Sequence, residues 1–185
     1  MNVLLADDAE MHRSLLKNVL SKVPGGMVVL GEAADGKELC DLYARHVGKI
    51  DLIFCDIRMP VMDGLSALVK IKSIRKDQKI VMVSSEDLAR MQRINEAKGE
   101  GNNSSLDEAK KIELIEKVAD RVRKGVVEAG KINSLLEGCE KLAADPILIA
   151  RHFGANGYLR KPYDNAKLEL LISKLVASQD FAAVV

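Results

Sequence analysis

The chain has 185 residues, 48% hydrophobic, 30% charged and 3% aromatic, with a formal net charge of +1. That length holds one domain with an added element or two small domains, and the composition excludes a disordered chain. Balanced charge and few aromatics leave no electrostatic or stacking footprint for nucleic acid, and no basic patch for a membrane surface.

Asn2 to Ala6 is a short apolar run closed by Asp7-Asp8, which predicts a buried strand and a polar loop. It is too short for a signal peptide, and no stretch of the chain reaches the length of a membrane span. Met11, Leu15, Leu16, Val19, Leu20 and Val23 recur at helical spacing until Pro24-Gly25-Gly26 stops them. Met27 to Leu30 reads as a second strand, Gly31 to Gly36 as a loop, and Leu39, Cys40, Tyr43 and Val47 as a second helix. Asp51 to Cys55 is a third strand that Asp56 closes, and Pro60 with Asp63-Gly64 makes the next loop. Leu65, Leu68, Val69 and Ile71 predict a third helix, and Ile80 to Val83 a fourth strand ending at Ser84-Ser85.

The pattern then changes. Glu86 to Ala97 has helical spacing, and residues 98 to 104 form a soft loop. Ser105-Leu106-Asp107-Glu108 fits a capping box. Ile112, Ile115, Ala119, Val122, Val126 and Ala129 then draw a narrow apolar seam, weakened by Gly125 and Gly130. Ile132 to Leu142 suggests another helix. From Pro146 the earlier style returns, with a short helix to Phe153, Gly154 as its stop, and a fifth strand at Gly157-Tyr158-Leu159. Lys161-Pro162 ends that strand, Asn165 to Ala177 is a final amphipathic helix, and residues 178 to 185 form a tail with no assigned element. Cys40, Cys55 and Cys139 are far apart and form no C-x-x-C pair, so reduced thiols in a cytoplasmic protein are expected.

Strands apolar on both faces, alternating with amphipathic helices, predict a doubly wound parallel sheet covered on both sides. Ligands of such sheets bind beyond the carboxyl ends of the strands. Asp7, Asp8, Asp56, Ser84 and Ser85 stand at three of those ends, and Lys161 at a fourth. Carboxylates gathered from neighbouring strands repel one another unless a cation lies among them. A few hard oxygens completed by water and phosphate suit Mg²⁺, and a carboxylate can itself serve as nucleophile to form an aspartyl phosphate. Singly, each residue has an ordinary explanation: a turn or helix cap for Asp7-Asp8, a turn acid for Asp56, a cap for Ser84-Ser85, a surface side chain for Lys161.

Taken in order, Asp7-Asp8, Asp56-Ile57-Arg58-Met59-Pro60 with Asp63-Gly64, Ser84-Ser85, and Gly154-Ala155-Asn156-Gly157-Tyr158-Leu159-Arg160-Lys161-Pro162 resemble the receiver domain of bacterial two-component response regulators. The resemblance covers residues 1 to about 86 and about 146 to 177. It implies a flavodoxin-like five-stranded sheet of order 2-1-3-4-5, with Asp56 as phosphoacceptor. It implies that Asp7, Asp8 and Asp56 hold Mg²⁺ together with the Arg58 carbonyl. It further implies that Ser84, Ser85 and Lys161 bind the phosphoryl group, Ser85 fitting the pattern only loosely, that Ser84 and Tyr158 form the switch, and that the Lys161-Pro162 bond is cis. Arg58 could pair with Glu86 to gate the water that removes the phosphoryl group.

Ser84 and Lys161 are 161 − 84 = 77 residues apart, whereas a crossover needs only a dozen or slightly more. The expected organisation is therefore a receiver over residues 1–177, interrupted by a helical insertion at 98–145 in the region of the fourth helix, with a tail at 178–185. Nine Lys/Arg and ten Asp/Glu give the insertion a net charge of −1, and it has no aromatic residue and no histidine. An amphipathic helical pair packed on the receiver is expected, a partner-binding or dimerising helix being the sharper alternative.

The function implied is a phosphorylation-activated signalling switch. Its donor would be a sensor histidine kinase or phosphotransfer protein. Its output would be protein contact, through the insertion or the face built from the fourth helix, fifth strand and last helix, or through a homodimer. Such a protein catalyses its own phosphorylation and slow dephosphorylation and is not a conventional enzyme. Two other classes remain open here: a receiver-like scaffold that is not phosphorylated, and a Mg²⁺-dependent phosphohydrolase with an aspartate nucleophile.

Overall fold

The computed structural model describes residues 1–85, 108–124, 146–177 and 182–184. Its elements in chain order are β1 (Asn2–Ala6), α1 (Glu10–Leu20), β2 (Val28–Ala33), α2 (Gly36–Arg45), β3 (Leu52–Asp56), α3 (Gly64–Ile74) and β4 (Lys79–Ser84). They continue with α4 (Glu108–Arg123), α5 (Pro146–His152), β5 (Gly157–Arg160), α6 (Asn165–Ala177) and β6 (Ala182–Val184). The expected helix over 86–97, the capping residues 105–107 and the helix over 132–142 lie outside the described residues.

The sheet is parallel throughout, in the order β2-β1-β3-β4-β5-β6. The first five strands stand in the order the sequence predicts. The sixth corrects the reading of the tail: Ala182, Ala183 and Val184 pair with Gly157, Tyr158 and Leu159 along the outer edge of β5. The second strand is also longer than expected. Gly31 reads as the start of a loop, yet the register between β1 and β2 shifts at this point, Val3 pairing with Val29 and Leu4 with Gly31. A bulge absorbs the extra residue and lets the ladder continue to Ala33.

Alternation sorts the strand residues onto two cores. Leu4, Ala6, Ile53, Cys55, Ile80, Met82 and Tyr158 face one side, where Leu39, Leu68, Ile71, Ile115, Ala119, Ile149 and Phe153 of α2 to α5 and the turn after α5 close over them. Val3, Leu5, Leu52, Phe54, Val81, Val83 and Leu159 face the other, under Leu16, Val19, Leu20, Leu168 and Leu171 of α1 and α6.

Part of the segment expected as an insertion thus packs into the described core. In α4, Ile115 is 1% and Ala119 2% exposed, one helical turn apart, while Glu113, Glu116, Lys117 and Arg121 face water. Ile115→Ala is expected to lower stability by about 2–3 kcal/mol, read as a lower denaturant midpoint with an unchanged slope. An unaltered midpoint would mean that α4 does not pack in solution.

Local caps fix the helices that bound the site. Asp35 caps α2 by accepting from the Lys37 and Glu38 backbone N–H groups, and the Glu38 carboxylate accepts from Ala34 N–H in return. Asp63 caps α3, taking hydrogen bonds from the Ser66 N–H and the Ser66 hydroxyl. Among the described residues no helix is long and apolar enough to cross a membrane.

Candidate phosphoacceptor site

β1, β3 and β4 run side by side, and each ends in a polar residue at the same edge of the sheet. Asp7 follows β1, Asp56 ends β3, Ser84 ends β4 and Lys161 follows β5. Asp7, Asp56 and Ser84 are 7%, 6% and 3% exposed, so the pocket is nearly closed to water.

Lys161 ties the acids together. Its ammonium donates to Asp7 Oδ2 at 2.5 Å and to Asp56 Oδ1 at 2.7 Å. The other Asp56 oxygen accepts from Arg58 N–H at 2.9 Å. The Lys161 N–H donates to the Ser84 carbonyl at 2.8 Å, binding the two strand ends together. The Lys161-Pro162 bond is cis, as the resemblance implies.

Burial pushes the Asp56 carboxyl above its ordinary range, against the hydrogen bond and charge of Lys161, and the neighbouring Asp7 adds to the rise. Burial pulls the Lys161 ammonium the other way, but its bonds to Asp56 and Asp7 prevail and leave it raised. Beneath the site, burial drives the Cys55 thiol well above its usual range, as suits an inert core residue.

Not every expected residue lies in the pocket. Asp8, Ser85 and Arg58 are exposed at its mouth, and Arg58 reaches it through its backbone. Glu86, and with it the expected gate, lies outside the described residues. Tyr158 is wholly buried on the α2–α5 side of β5. Among the described residues no three His, Cys, Asp or Glu side chains form a ready-made metal cage.

The structure adds residues that the sequence pattern does not single out. His12 Nδ1, from the first turn of α1, lies 3.1 Å from Asp7 Oδ1 and 3.1 Å from Lys161 Nζ. Arg13 donates to the Asp7 carbonyl at 2.7 Å. Tyr163 is buried beside the site, and burial followed by the charges of Asp7 and Asp56 pushes its hydroxyl pKa up. Spacing alone does not mark His12, because Asp7 and Asp8 precede the helix, which begins at Glu10.

The profile of the response regulator receiver domain matches residues 3–119, and the chain belongs to that family. It is 39% identical over 83 residues to the chemotaxis protein CheY of Bacillus subtilis (strain 168), an overlap of 45% of this chain and 66% of that one. To a protein-glutamate methylesterase/protein-glutamine glutaminase of Hahella chejuensis it is 40% identical over 88 residues, 48% of this chain but 24% of the other. The chain thus spans just under two thirds of the first of these relatives and about a quarter of the second. Among solved structures, the chemotaxis protein CheY4 of Vibrio cholerae superimposes with a TM-score of 0.53 at 20% identity, covering 95% of this chain and 96% of its own. A LuxR-family response regulator from Aurantimonas superimposes with a TM-score of 0.60 at 18% identity, covering 97% and 87%. At such identities these two establish the fold alone.

Proposed function

We propose that this chain is a phosphorylation-activated switch in which Asp56 takes a phosphoryl group from a phosphohistidine on a sensor kinase or phosphotransfer protein. One observation carries the reading: two buried carboxylates and an ammonium meet from three separate strand ends, at 2.5 and 2.7 Å.

The donor set fits Mg²⁺. Asp7 and Asp56 offer hard oxygens, Asp8 is the next residue after Asp7 in the chain and is exposed, and the Arg58 carbonyl follows the acceptor by two residues. When bound, the ion supplies the positive charge that lets carboxylates and a phosphoryl group share one pocket. An Asp56 oxygen attacks phosphorus, a P–O bond forms as the histidine P–N bond breaks, and the donor imidazole leaves with the electron pair and takes a proton. Lys161 pairs with the phosphoryl oxygens, and the Ser84 hydroxyl donates to one of them. The added charge biases a two-state element comprising Ser84 and Tyr158. The output is protein contact, through the face around β5 or through the insertion.

The test is mass spectrometry after incubation with acetyl phosphate and Mg²⁺. The wild type is expected to gain one phosphoryl group and Asp56→Asn none. An unmodified wild type would leave a scaffold without phosphorylation, and continuous turnover of a phosphate ester would indicate a phosphohydrolase.

A further inference from the structure

Lys72, near the end of α3, lies at the opposite edge of the sheet from the phosphoacceptor site. Its Nζ donates to the Lys76 carbonyl at 3.1 Å and to Asn156 Oδ1 at 3.0 Å. Its stem runs beneath Gly154, where an added Cβ would sit 3.8 Å from Lys72 Cε. The same Asn156 oxygen accepts from Ile80 N–H at 3.1 Å, so the lysine joins α3 to the point where β4 and β5 begin. Both of its acceptors are neutral, and among the described residues Lys72 forms no ion pair. The charge that acts on it is Asp77, which Arg75 already holds through two hydrogen bonds of 3.0 Å. A half-buried ammonium without a counter-ion is disfavoured against the neutral amine, and burial pulls Lys72 down to about 8. A neutral amine has two N–H groups and one lone pair. The two carbonyls take the N–H groups and leave the lone pair free to react.

We propose that Lys72 is an acylation site that takes the acyl group of an acyl phosphate such as acetyl phosphate. The nitrogen attacks the carbonyl carbon and a C–N bond forms. The bond from that carbon to the bridging oxygen breaks, and phosphate leaves with the electron pair and takes the proton that the nitrogen sheds. Asp56, by contrast, attacks such a compound at phosphorus. The donor's charge has a place to collect beside the amine. Asn156 also walls a cavity of about 570 Å³ that Arg75, Lys76 and Lys79 line together with Asp51 and Asp77. Three cations against two carboxylates leave a surplus that suits a phosphate dianion. The product amide keeps a single N–H, so one of the two carbonyls loses its donor and the modification is felt at the turn into β5.

The test incubates the full chain with acetyl phosphate at pH 8 and follows acetylation lysine by lysine, by peptide mass spectrometry. At that pH Lys72 is about half neutral, against roughly one molecule in three hundred for an ordinary lysine. A less basic nucleophile is also a weaker one, as the thiols show, so the net expectation is acetylation about tenfold faster than at the exposed Lys22 and Lys49. The Lys72 rate should level off above pH 8 while theirs continues to climb. Asn156→Asp keeps an oxygen for Ile80 N–H and supplies the missing counter-charge, and should slow Lys72 to the rate of the exposed lysines. Acetylation of Lys72 no faster than that of Lys22 and Lys49 overturns the proposal. So does a Lys72 rate that climbs through pH 9 as theirs does, or an Asn156→Asp protein that labels as fast as the wild type. The phosphoryl adduct is read separately, by intact mass, so the receiver reading and the Lys72 site stand or fall independently.

Discussion

Replacing Lys161 with methionine is expected to cost about 3 kcal/mol of stability near neutral pH, because it leaves two buried carboxylates facing each other with their cation gone. The lysine side chain is 11% exposed and each acid side chain 9%, so water screens little of the repulsion. The pH dependence has a definite sign. Burial already holds the Asp56 carboxyl above its ordinary range in the wild type, and Lys161 is the chief influence opposing that rise. In the variant it rises further. For an acid raised by folding, the folded state binds more protons than the unfolded one, so stability increases as pH falls through the folded value. The gap between variant and wild type should therefore narrow from pH 7 toward pH 5, measured by denaturant unfolding at each pH. Saturating Mg²⁺ should narrow it as well. A gap independent of both pH and Mg²⁺ would mean that the acids do not share one electrostatic pocket.

The second large effect concerns a residue with no side chain. A Cβ built on Gly64 would lie 2.0 Å from the Asp56 carbonyl oxygen and 3.0 Å from Cys55 Sγ. That distance is far inside contact, and the obstacle is backbone of the central strand, which cannot swing aside as a side-chain tip could. Gly64 N–H also donates to the Ile57 carbonyl, which pins the start of α3 against the end of β3. Gly64→Ala should cost about 3 kcal/mol, at or beyond the upper end of ordinary overpacking, and should displace the phosphoacceptor. The expected readout is a lower melting temperature together with slower labelling by acetyl phosphate. A variant as stable and as reactive as the wild type would show that α3 can retreat from the strand at little cost.

Much of this site is legible in the sequence, for definite reasons. Apolar runs ending in acids, at Asn2–Asp8 and Leu52–Asp56, place Asp7 and Asp56 at strand ends, and the doubly wound pattern makes β1 and β3 neighbours. Their meeting follows from topology without any knowledge of side-chain angles. Lys161, 105 residues beyond Asp56, comes in through the resemblance and through its place after a strand. His12 is not legible in this way, because whether it faces the pocket depends on where α1 begins, and Ala9 gives that helix no side-chain cap to mark it. Gly64 reads as a turn residue, whereas its structural reason is the approach of another strand's carbonyl, which no local pattern encodes. The extension of β2 through Gly31 depends on a bulge, and β6 depends on an edge that only the finished sheet supplies.

β6 has a bearing on assembly. An outermost strand ordinarily offers a row of unsatisfied amide and carbonyl groups to whatever extended chain arrives first, and natural sheets blunt that liability in several ways. Here the polypeptide shields β5 with three of its own residues, Ala182 to Val184. A protein that recognises the neighbourhood of Tyr158 must therefore either read side chains across the surface or first peel away this short selvedge. On this side of the sheet the described edge is only as long as that three-residue strip, and the longer open edge is β2 on the opposite side.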